Sequence, residues 1–350
     1  MSGTMKAVDI KGGKGPASAL FIDEAAPKPT PTNPGEVLVR VRAFGVNRMD
    51  LVQREGHYPL PPQAPTTLGV EFSGTVEALG PPLAPCTDEL RPGDAVFGLA
   101  YGGAYAEYII ADARMLLRKP AGLSWEAAAG VPETFMTATQ ALHLVGGVET
   151  PRAAGASSSA SRKTVLWHAG ASGVSIAGIQ LSLDAGVPAV YATAGTDEKC
   201  RFLESELGVT KAFNYKTEDW ARGILEATGG KGVDVIVDFV GASYFEKNMA
   251  VAAKDARWVL LGLLSGSKLE SVDIGPLLFK RIRLEGSTLR SREPEYQGRL
   301  RDMLSEYIPD IESGKIKVKV DSVFPMADII KAHELMEKNT TTGKIICTVP

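Results

Sequence analysis

Cysteine and histidine are scarce in this chain of 350 residues, which has only three of the first and four of the second. The cysteines, Cys86, Cys200 and Cys347, are too few and too scattered for a disulfide framework or a structural zinc cage. The four histidines share no spacing typical of metal ligands. We therefore expect no bound metal.

Charge of one sign and long apolar runs are also missing. Lysine and arginine number 38 against 41 acidic residues, and no basic block with interleaved aromatics is present, so we expect no nucleic-acid partner. No run approaches the roughly 20 apolar residues that span a bilayer. The first residues lack a basic and apolar leader pattern. We expect a cytoplasmic protein without membrane contact.

A glycine-rich turn is the most informative feature that is present. Residues 164–175 (TVLWHAGASGVS) predict a strand, a turn and the start of a helix. Such a turn presents backbone N–H groups and the positive end of a helix dipole, and both attract a pyrophosphate. The sequence therefore predicts a dinucleotide site. Ser175 stands where a glycine is usual, so its side chain either displaces the cofactor or donates its hydroxyl to a phosphate.

The segment after this helix indicates which dinucleotide is bound. Residues 187–193 predict a second strand, followed by Ala-Gly-Thr at 194–196 and by Lys199. A strand-end carboxylate suits the ribose of NADH, whereas hydroxyl, N–H and cationic groups suit the 2′-phosphate of NADPH. The acids Asp197 and Glu198 are evidence against NADPH, but the first turn of a helix favours acids in any case. We predict NADPH.

The order of predicted elements indicates two domains. Strands at 5–8, 19–22, 36–43 and 103–111, separated by proline-rich connectors, predict a small antiparallel barrel or sandwich. Helices are expected at 125–130 and 133–144. Six strands that alternate with helices then predict a doubly wound parallel sheet. These strands are expected at 165–168, 189–193, 212–214, 233–239, 257–261 and 281–286.

The last segment of the chain is expected to complete the first domain. It predicts helices at 296–313 and 327–339 and strands at 317–320 and 344–348. The small-residue stretch 153–161 is expected to be a loop without chemistry.

Several motifs occur in a fixed order along nearly the whole chain. They are residues 35–41 (GEVLVRV), 45–50 (GVNRMD), 69–74 (GVEFSG), 91–98 (RPGDAVFG), 168–174 (HAGASGV) and 343–345 (GKI). Together they resemble the zinc-free quinone oxidoreductase branch of the medium-chain dehydrogenase/reductase superfamily. Zinc-dependent relatives carry a cysteine at the position of Asn47 and a histidine at that of Val70, so the resemblance implies a zinc-independent enzyme.

The resemblance also implies a domain plan and an assembly. Residues 1–133, completed by 293–350, are expected to form a GroES-like β-barrel catalytic domain. Residues 134–292 are expected to form a Rossmann dinucleotide-binding domain, with the nicotinamide between the two. The family further suggests a homodimer joined through edge strands near 259–264 and 281–288.

Site residues follow from the same resemblance. Asn47, Tyr58 and Thr137 are the expected catalytic residues near the nicotinamide. The residues expected to bind NADPH are Ser172, Gly173, Val174, Gly195, Thr196, Lys199, Tyr215, Gly241, Gly262 and Leu263. Each catalytic candidate has a structural alternative, namely a turn asparagine, a packed loop aromatic, and a helix hydroxyl bonded to the preceding turn. His168, at a strand end, is expected to be a hydrogen-bonded core residue.

Without a Lewis acid, hydride transfer suits an acceptor that is already electron-poor, so we expect NADPH-dependent reduction of a quinone. A proton is expected from water or Tyr58. One alternative is reduction of activated carbon–carbon double bonds in 2-alkenals or enoyl thioesters. Another is an NADPH-binding structural or RNA-interacting protein with little turnover.

Overall fold

The computed structural model describes residues 3–83, 90–150, 152 and 161–350. Cys86 and most of the predicted loop 153–161 lie outside these residues. The chain divides into two compact units. The first unit comprises Met1–Met136 and Leu289–Pro350, and the second comprises Thr137–Thr288.

The strands in the described part of the chain are numbered in chain order. They are β1 (Thr4–Ile10), β2 (Leu20–Pro27), β3 (Glu36–Val46), β4 (Glu71–Leu79), β5 (Ala95–Leu99), β6 (Tyr108–Asp112), β7 (Leu116–Arg118), β8 (Val165–Trp167), β9 (Val190–Ala194), β10 (Lys211–Asn214), β11 (Val233–Asp238), β12 (Ala252–Leu260), β13 (Arg283–Gly286), β14 (Val320–Pro325) and β15 (Lys344–Thr348).

The α-helices in the described part of the chain are also numbered in chain order. They are α1 (Arg48–Arg54), α2 (Trp125–Ala129), α3 (Pro132–Thr139), α4 (Gly173–Asp184), α5 (Asp197–Ser205), α6 (Trp220–Ala227), α7 (Phe245–Val251), α8 (Gly275–Phe279), α9 (Pro294–Ser305), α10 (Ile308–Glu312) and α11 (Ile329–Glu337). A π-helix, Gln140–Val145, continues α3. No helix among the described residues is long and apolar enough to cross a membrane.

The first unit is built around β3. Its sheet runs β14-β15-β3-β4-β5-β7 with β6 also paired to β3, while β1 and β2 form a separate antiparallel pair. The alternation of Val37, Val39 and Val41 places all three in the core. Antiparallel pairing brings the end of β3 beside the starts of β4 and β15. This register gathers the polar residues at those strand ends.

The second unit is the expected doubly wound sheet, and this prediction is confirmed. Six parallel strands run in the order β10-β9-β8-β11-β12-β13. Their carboxyl ends therefore lie along one edge, where ligands of such sheets bind. Gly178 of α4 is required for the packing, because a Cβ there would lie 2.1 Å from the ring of Trp167.

Some predicted elements were wrong in their bounds or absent. Residues 103–107 are not a strand, apart from a single bridge between Ala106 and Ala7. The strand predicted at 317–320 is β14, which begins only at Val320. The helix predicted at 296–313 is two helices, because Pro309 occupies the first turn of α10, where its missing N–H costs nothing. Helix α1 was not predicted.

Candidate functional site

The glycine-rich turn of the second unit forms the N-terminus of α4. Ser172 is the N-cap, and its side chain accepts a hydrogen bond from the N–H of Ser175. Gly173 and Val174 occupy the first two helical positions, whose N–H groups have no acceptor within a helix. Gly170 permits the close approach of the turn to helix α5, since a Cβ there would lie 2.8 Å from the Leu203 side chain. The turn fits a pyrophosphate.

The role of Ser175 is decided by its contacts. Its hydroxyl is buried, donates to the His168 carbonyl oxygen at 2.8 Å, and accepts from the Ser172 hydroxyl at 3.1 Å. The single proton of this hydroxyl is thus used in a bond within the turn. Of the two consequences considered for this substitution, donation to a phosphate is inconsistent with the structure.

The structure brings four of the predicted cofactor residues together at the ends of β9 and β10. A Cβ on Gly195 would lie 2.6 Å from the Tyr215 hydroxyl, so glycine leaves room for that ring. Thr196 is the N-cap of α5 and its hydroxyl oxygen accepts from the N–H of Lys199. The Thr196 hydroxyl and the Tyr215 phenol thus lie at one strand edge, and Lys199 begins there on the first turns of α5. These groups fit a phosphate ester.

One of the two acids that argued against NADPH is held elsewhere. Asp197 accepts a hydrogen bond from the amide of Asn214 at 2.6 Å, so its carboxylate is committed to β10. The first turn of α5 therefore has the acid that the helix dipole favours, but the Asp197 carboxylate is not directed to a ribose.

The remaining predicted cofactor residues lie in two loops that pack on each other. Gly241, at φ 83°, follows β11, and a Cβ there would lie 2.9 Å from the Leu263 side chain. Gly262 and the half-exposed Leu263 follow β12. The N–H of Leu264 donates to the Phe239 carbonyl and ties the two loops together. All of these residues lie at the carboxyl-end edge of the sheet.

His168 is the buried core residue that the sequence predicted. Its Nδ1 lies 2.9 Å from the Thr193 hydroxyl and its Nε2 lies 2.7 Å from Asn248 Oδ1. Asn248 Oδ1 only accepts, so Nε2 carries the proton and Nδ1 accepts from Thr193. Burial lowers the pKa of His168. The ring is neutral and links the end of β9 to helix α7.

A buried cluster of charged residues surrounds Asn47 in the first unit, centred on Glu71. The Glu71 carboxylate accepts from Lys344 Nζ at 2.6 Å and from Asn47 Nδ2 at 3.0 Å, and its other oxygen accepts from the N–H of Glu133 at 2.9 Å. Lys344 also donates to Asn47 Oδ1 at 2.7 Å. Gly45 makes room, since a Cβ there would lie 2.2 Å from the carboxylate. Both ends of the Asn47 amide are therefore engaged.

A second chain of hydrogen bonds fixes the start of α1. Arg54 can only donate, so its contact of 3.2 Å assigns His333 Nδ1 as an acceptor and leaves the proton on Nε2. His333 then donates to the Tyr105 hydroxyl at 3.1 Å, and Tyr105 donates to Asp50 at 3.2 Å. Asp50 also accepts from the N–H of Asn47 at 2.7 Å.

Three groups in this chain of hydrogen bonds have shifted pKa values, and burial raises that of Tyr105. Burial raises the pKa of Asp50 to about 6, although nearby hydrogen bonds and cations lower it. Burial, reinforced by Arg54, lowers the pKa of His333 to about 3. The neutral His333 is what allows this hydrogen-bond direction.

Tyr58 and Thr137 have contrasting surroundings. Arg290 lies over the Tyr58 ring, with its Cζ 5.3 Å from the ring centroid. Burial, reinforced by Glu133, raises the pKa of Tyr58. The buried hydroxyl of Thr137 has no hydrogen-bond partner among the described residues, whereas Thr134 in the same helix donates to the preceding turn. Thr137 therefore lacks the structural bond considered as its alternative.

The sequence interpretation missed the acid with the largest shift in this cluster. Burial, with Glu71 as the next cause, raises the pKa of Glu133 to about 8, and Lys344 opposes this shift. Its only sequence signal is its place in the first turn of a predicted helix. Among the described residues, no group of three or more histidine, cysteine or acidic side chains is arranged to hold a metal.

Two family models match the chain. The alcohol dehydrogenase GroES-like domain matches residues 33–121, and the zinc-binding dehydrogenase domain matches residues 173–306. A mycocerosic acid synthase-like polyketide synthase of Mycobacterium tuberculosis is 29% identical over 96% of this chain, but the match covers only 15% of that protein. The chain thus spans a small part of the first curated relatives it matches. Quinone oxidoreductase-like protein 2 of Bos taurus is 28% identical, over 94% of this chain and 89% of that protein.

Solved structures match the whole chain. Mycobacterial Rv1454c complexed with NADPH has a TM-score of 0.82 and 31% identity, covering 99% of this chain and all of that one. Escherichia coli quinone oxidoreductase complexed with NADPH has a TM-score of 0.81 and 26% identity, over 99% of both chains. The CurK enoyl reductase has a TM-score of 0.81 and 25% identity, over 99% of this chain and all of that one. The chain therefore belongs to the medium-chain dehydrogenase/reductase superfamily, with a GroES-like domain and a Rossmann-like domain.

Proposed function

We propose that the protein is an NADPH-dependent, zinc-independent quinone oxidoreductase. The observation that carries the cofactor choice is the edge formed by Gly195, Thr196, Lys199 and Tyr215, with the nearby Asp197 tied to Asn214. Bound NADPH was present in two of the similar structures, one of them a quinone oxidoreductase. The bovine relative supports the same acceptor class.

The choice of acceptor is supported by the Lys344 ammonium group, which lies beside Asn47. Zinc-dependent relatives place a ligand at this position, but here Lys344 Nζ lies 2.7 Å from Asn47 Oδ1. A cation already occupies this place, so a divalent metal would be repelled. An acceptor that is electron-poor by itself, such as a quinone, needs no metal.

The residues then have separate roles. When bound, NADPH supplies a hydride to the acceptor. The N–H groups of Gly173 and Val174 hold the pyrophosphate, and the α5 start holds the 2′-phosphate. Gly241, Gly262 and Leu263 line the cofactor, and the unbonded Thr137 hydroxyl donates to it. Tyr58 orients the acceptor, and Asn47, whose Nδ2 already donates to Glu71 and Gly45, accepts a hydroxyl of the nicotinamide ribose at Oδ1.

The test is oxidation of NADPH and NADH by the chelator-treated protein with a panel of quinones and 2-alkenals. We expect turnover with quinones that prefers NADPH. Preference for NADH would refute the phosphate assignment. Tight NADPH binding without turnover on any acceptor would instead favour a structural or RNA-interacting role.

Reduction of activated carbon–carbon double bonds is the second candidate. It is favoured by the similarity to the CurK enoyl reductase and to polyketide synthases. The same residues would serve, because a conjugated alkene accepts a hydride as a quinone does. Higher kcat/KM with 2-alkenals or enoyl thioesters than with quinones would establish this alternative.

We also propose a homodimer through the free edge of the parallel sheet. All four residues of β13 are exposed, and the strand pairs only with β12 among the described strands. Leu278 and Phe279 of α8 are about three-quarters exposed. Unpaired edges and exposed apolar residues are stabilised by a second copy. Light scattering of the wild type and of L278E/F279E tests this, since only the variant should be a monomer.

Two finer expectations stay predictions. One is a cytoplasmic location. The other is a likeness within the branch to the quinone oxidoreductase induced by the p53 tumour suppressor, based on residues 194–196, 213–215, 241–248 and 257–260.

A further inference from the structure

Glu133 is held beside Asn47 by a shared carboxylate. One oxygen of Glu71 accepts from the Asn47 side chain at 3.0 Å, and the other accepts from the Glu133 N–H at 2.9 Å. Glu133 lies in the first turn of α3, and this bond fixes where that turn begins. The Glu133 side chain therefore starts from a fixed point next to Asn47, one of the residues proposed to lie near the nicotinamide.

The Glu133 carboxyl group is also unengaged. No hydrogen bond or ion pair reaches it from any residue that the structure describes, whereas Glu71 accepts three donors. Glu71 and Asp50 have no exposed surface, but Glu133 keeps part of its own. It is the acid of this cluster that remains accessible to a small molecule.

The charges around Glu133 keep it protonated at neutral pH. Burial is the largest cause of its raised pKa, followed by Glu71, and Asp50 adds to both. Lys344 and Arg290 act in the opposite direction. The balance of these effects leaves the pKa of Glu133 at about 8. Glu133 in turn contributes to the raised pKa of the neighbouring Tyr58 hydroxyl.

We propose that Glu133 is the proton donor for the reduction. This inference rests on the proposed function and adds its missing acid. The O–H bond of the carboxyl group breaks, a new O–H bond forms on the acceptor oxygen, and the electron pair stays on Glu133, which regains a proton from water. The hydride from NADPH and this proton together convert a quinone to a hydroquinone. Tyr58 then orients the oxygen, since its raised pKa makes it a weak donor.

The first test compares E133Q with E126Q, which changes an acid of the adjoining helix α2. General acids contribute about 10²–10⁴-fold, so we expect kcat of E133Q to fall at least about 100-fold with little change in NADPH affinity. The loss should be smallest for quinones whose reduced anions are weakly basic. E126Q should match the wild type. An active wild type with an equally active E133Q would overturn the donor role alone.

The second test needs neither cofactor nor turnover. Infrared spectra of the cofactor-free protein should show the carbonyl band of a neutral carboxyl group that disappears as pH rises through about 8. The band should be missing in E133Q and present in E126Q. A wild type without this band refutes the inference even if it reduces quinones. A wild type that reduces no acceptor refutes the proposed function, and the donor role falls with it.

Discussion

Replacement of Lys344 by methionine tests whether the buried cluster is held by its ion pair. Lys344 Nζ and Glu71 lie 2.6 Å apart, and the two side chains are 6% and 0% exposed. K344M removes the ammonium but keeps most of the volume, so the Glu71 carboxylate stays buried without its cation. Breaking one side of a buried pair costs about 3–5 kcal/mol. We expect K344M to lower the free energy of unfolding by that amount.

Urea denaturation followed by circular dichroism measures this cost. The double variant E71Q/K344M should be more stable than the sum of the single changes predicts, by about 2–3 kcal/mol, because neither charge is then left alone. The control is R222M, which breaks the exposed pair of Arg222 and Glu226 at 2.7 Å and should leave the denaturation midpoint unchanged. A loss below about 1 kcal/mol in K344M would refute the reasoning.

Three further changes test other parts of the structure. K199A should raise KM for NADPH about 10-fold or more and leave KM for NADH unchanged, because a charged hydrogen bond contributes about 1.5–3 kcal/mol; equal effects on both cofactors would contradict the assignment. Burial raises the pKa of Asp50 to about 6 from 3.8, so the folded chain keeps a proton that the unfolded chain releases. Asp50 therefore reduces stability by up to about 3 kcal/mol as pH rises from about 4 to 6. Thermal unfolding of D50N should lack this loss, and identical pH profiles would exclude it. G178A should cost about 1–3 kcal/mol by forcing a Cβ against Trp167, whereas G3A, in open space, should unfold at the wild-type temperature.

The parallel sheet was predictable because its signals are local. Each strand is a short apolar run, and Gly170 and Gly173 mark the turn that opens α4. The first unit was harder, since its sheet pairs strands from both ends of the chain. Helix α1 was missed because it has only seven residues and four of them are buried, so no amphipathic pattern appears.

In the candidate site, too, the features set by local sequence were predictable and those set by long-range pairing were not. Backbone positions such as Gly195 follow from the order of strands and turns. The cluster around Glu71 does not, because Asn47, Glu133 and Lys344 are far apart in sequence and meet only through the register of β3, β4 and β15. Lys344 and Glu71 lie in two of the sequence motifs, at 343–345 and 69–74, but nothing in either motif predicts that they pair with each other. Their importance comes from burial, which no local pattern reports.

The position of Lys344 also limits how this enzyme can be re-engineered. A designer who wished to restore a catalytic zinc would introduce N47C and V70H, as zinc-dependent relatives suggest. The new thiolate would then lie close to the Lys344 ammonium, which keeps its bonds to the Val46 carbonyl oxygen and to Glu71. That ammonium would compete with the metal ion for the thiolate, and its positive charge would repel the metal ion. Two substitutions are therefore insufficient, and Lys344 must be changed before the site can accept a metal.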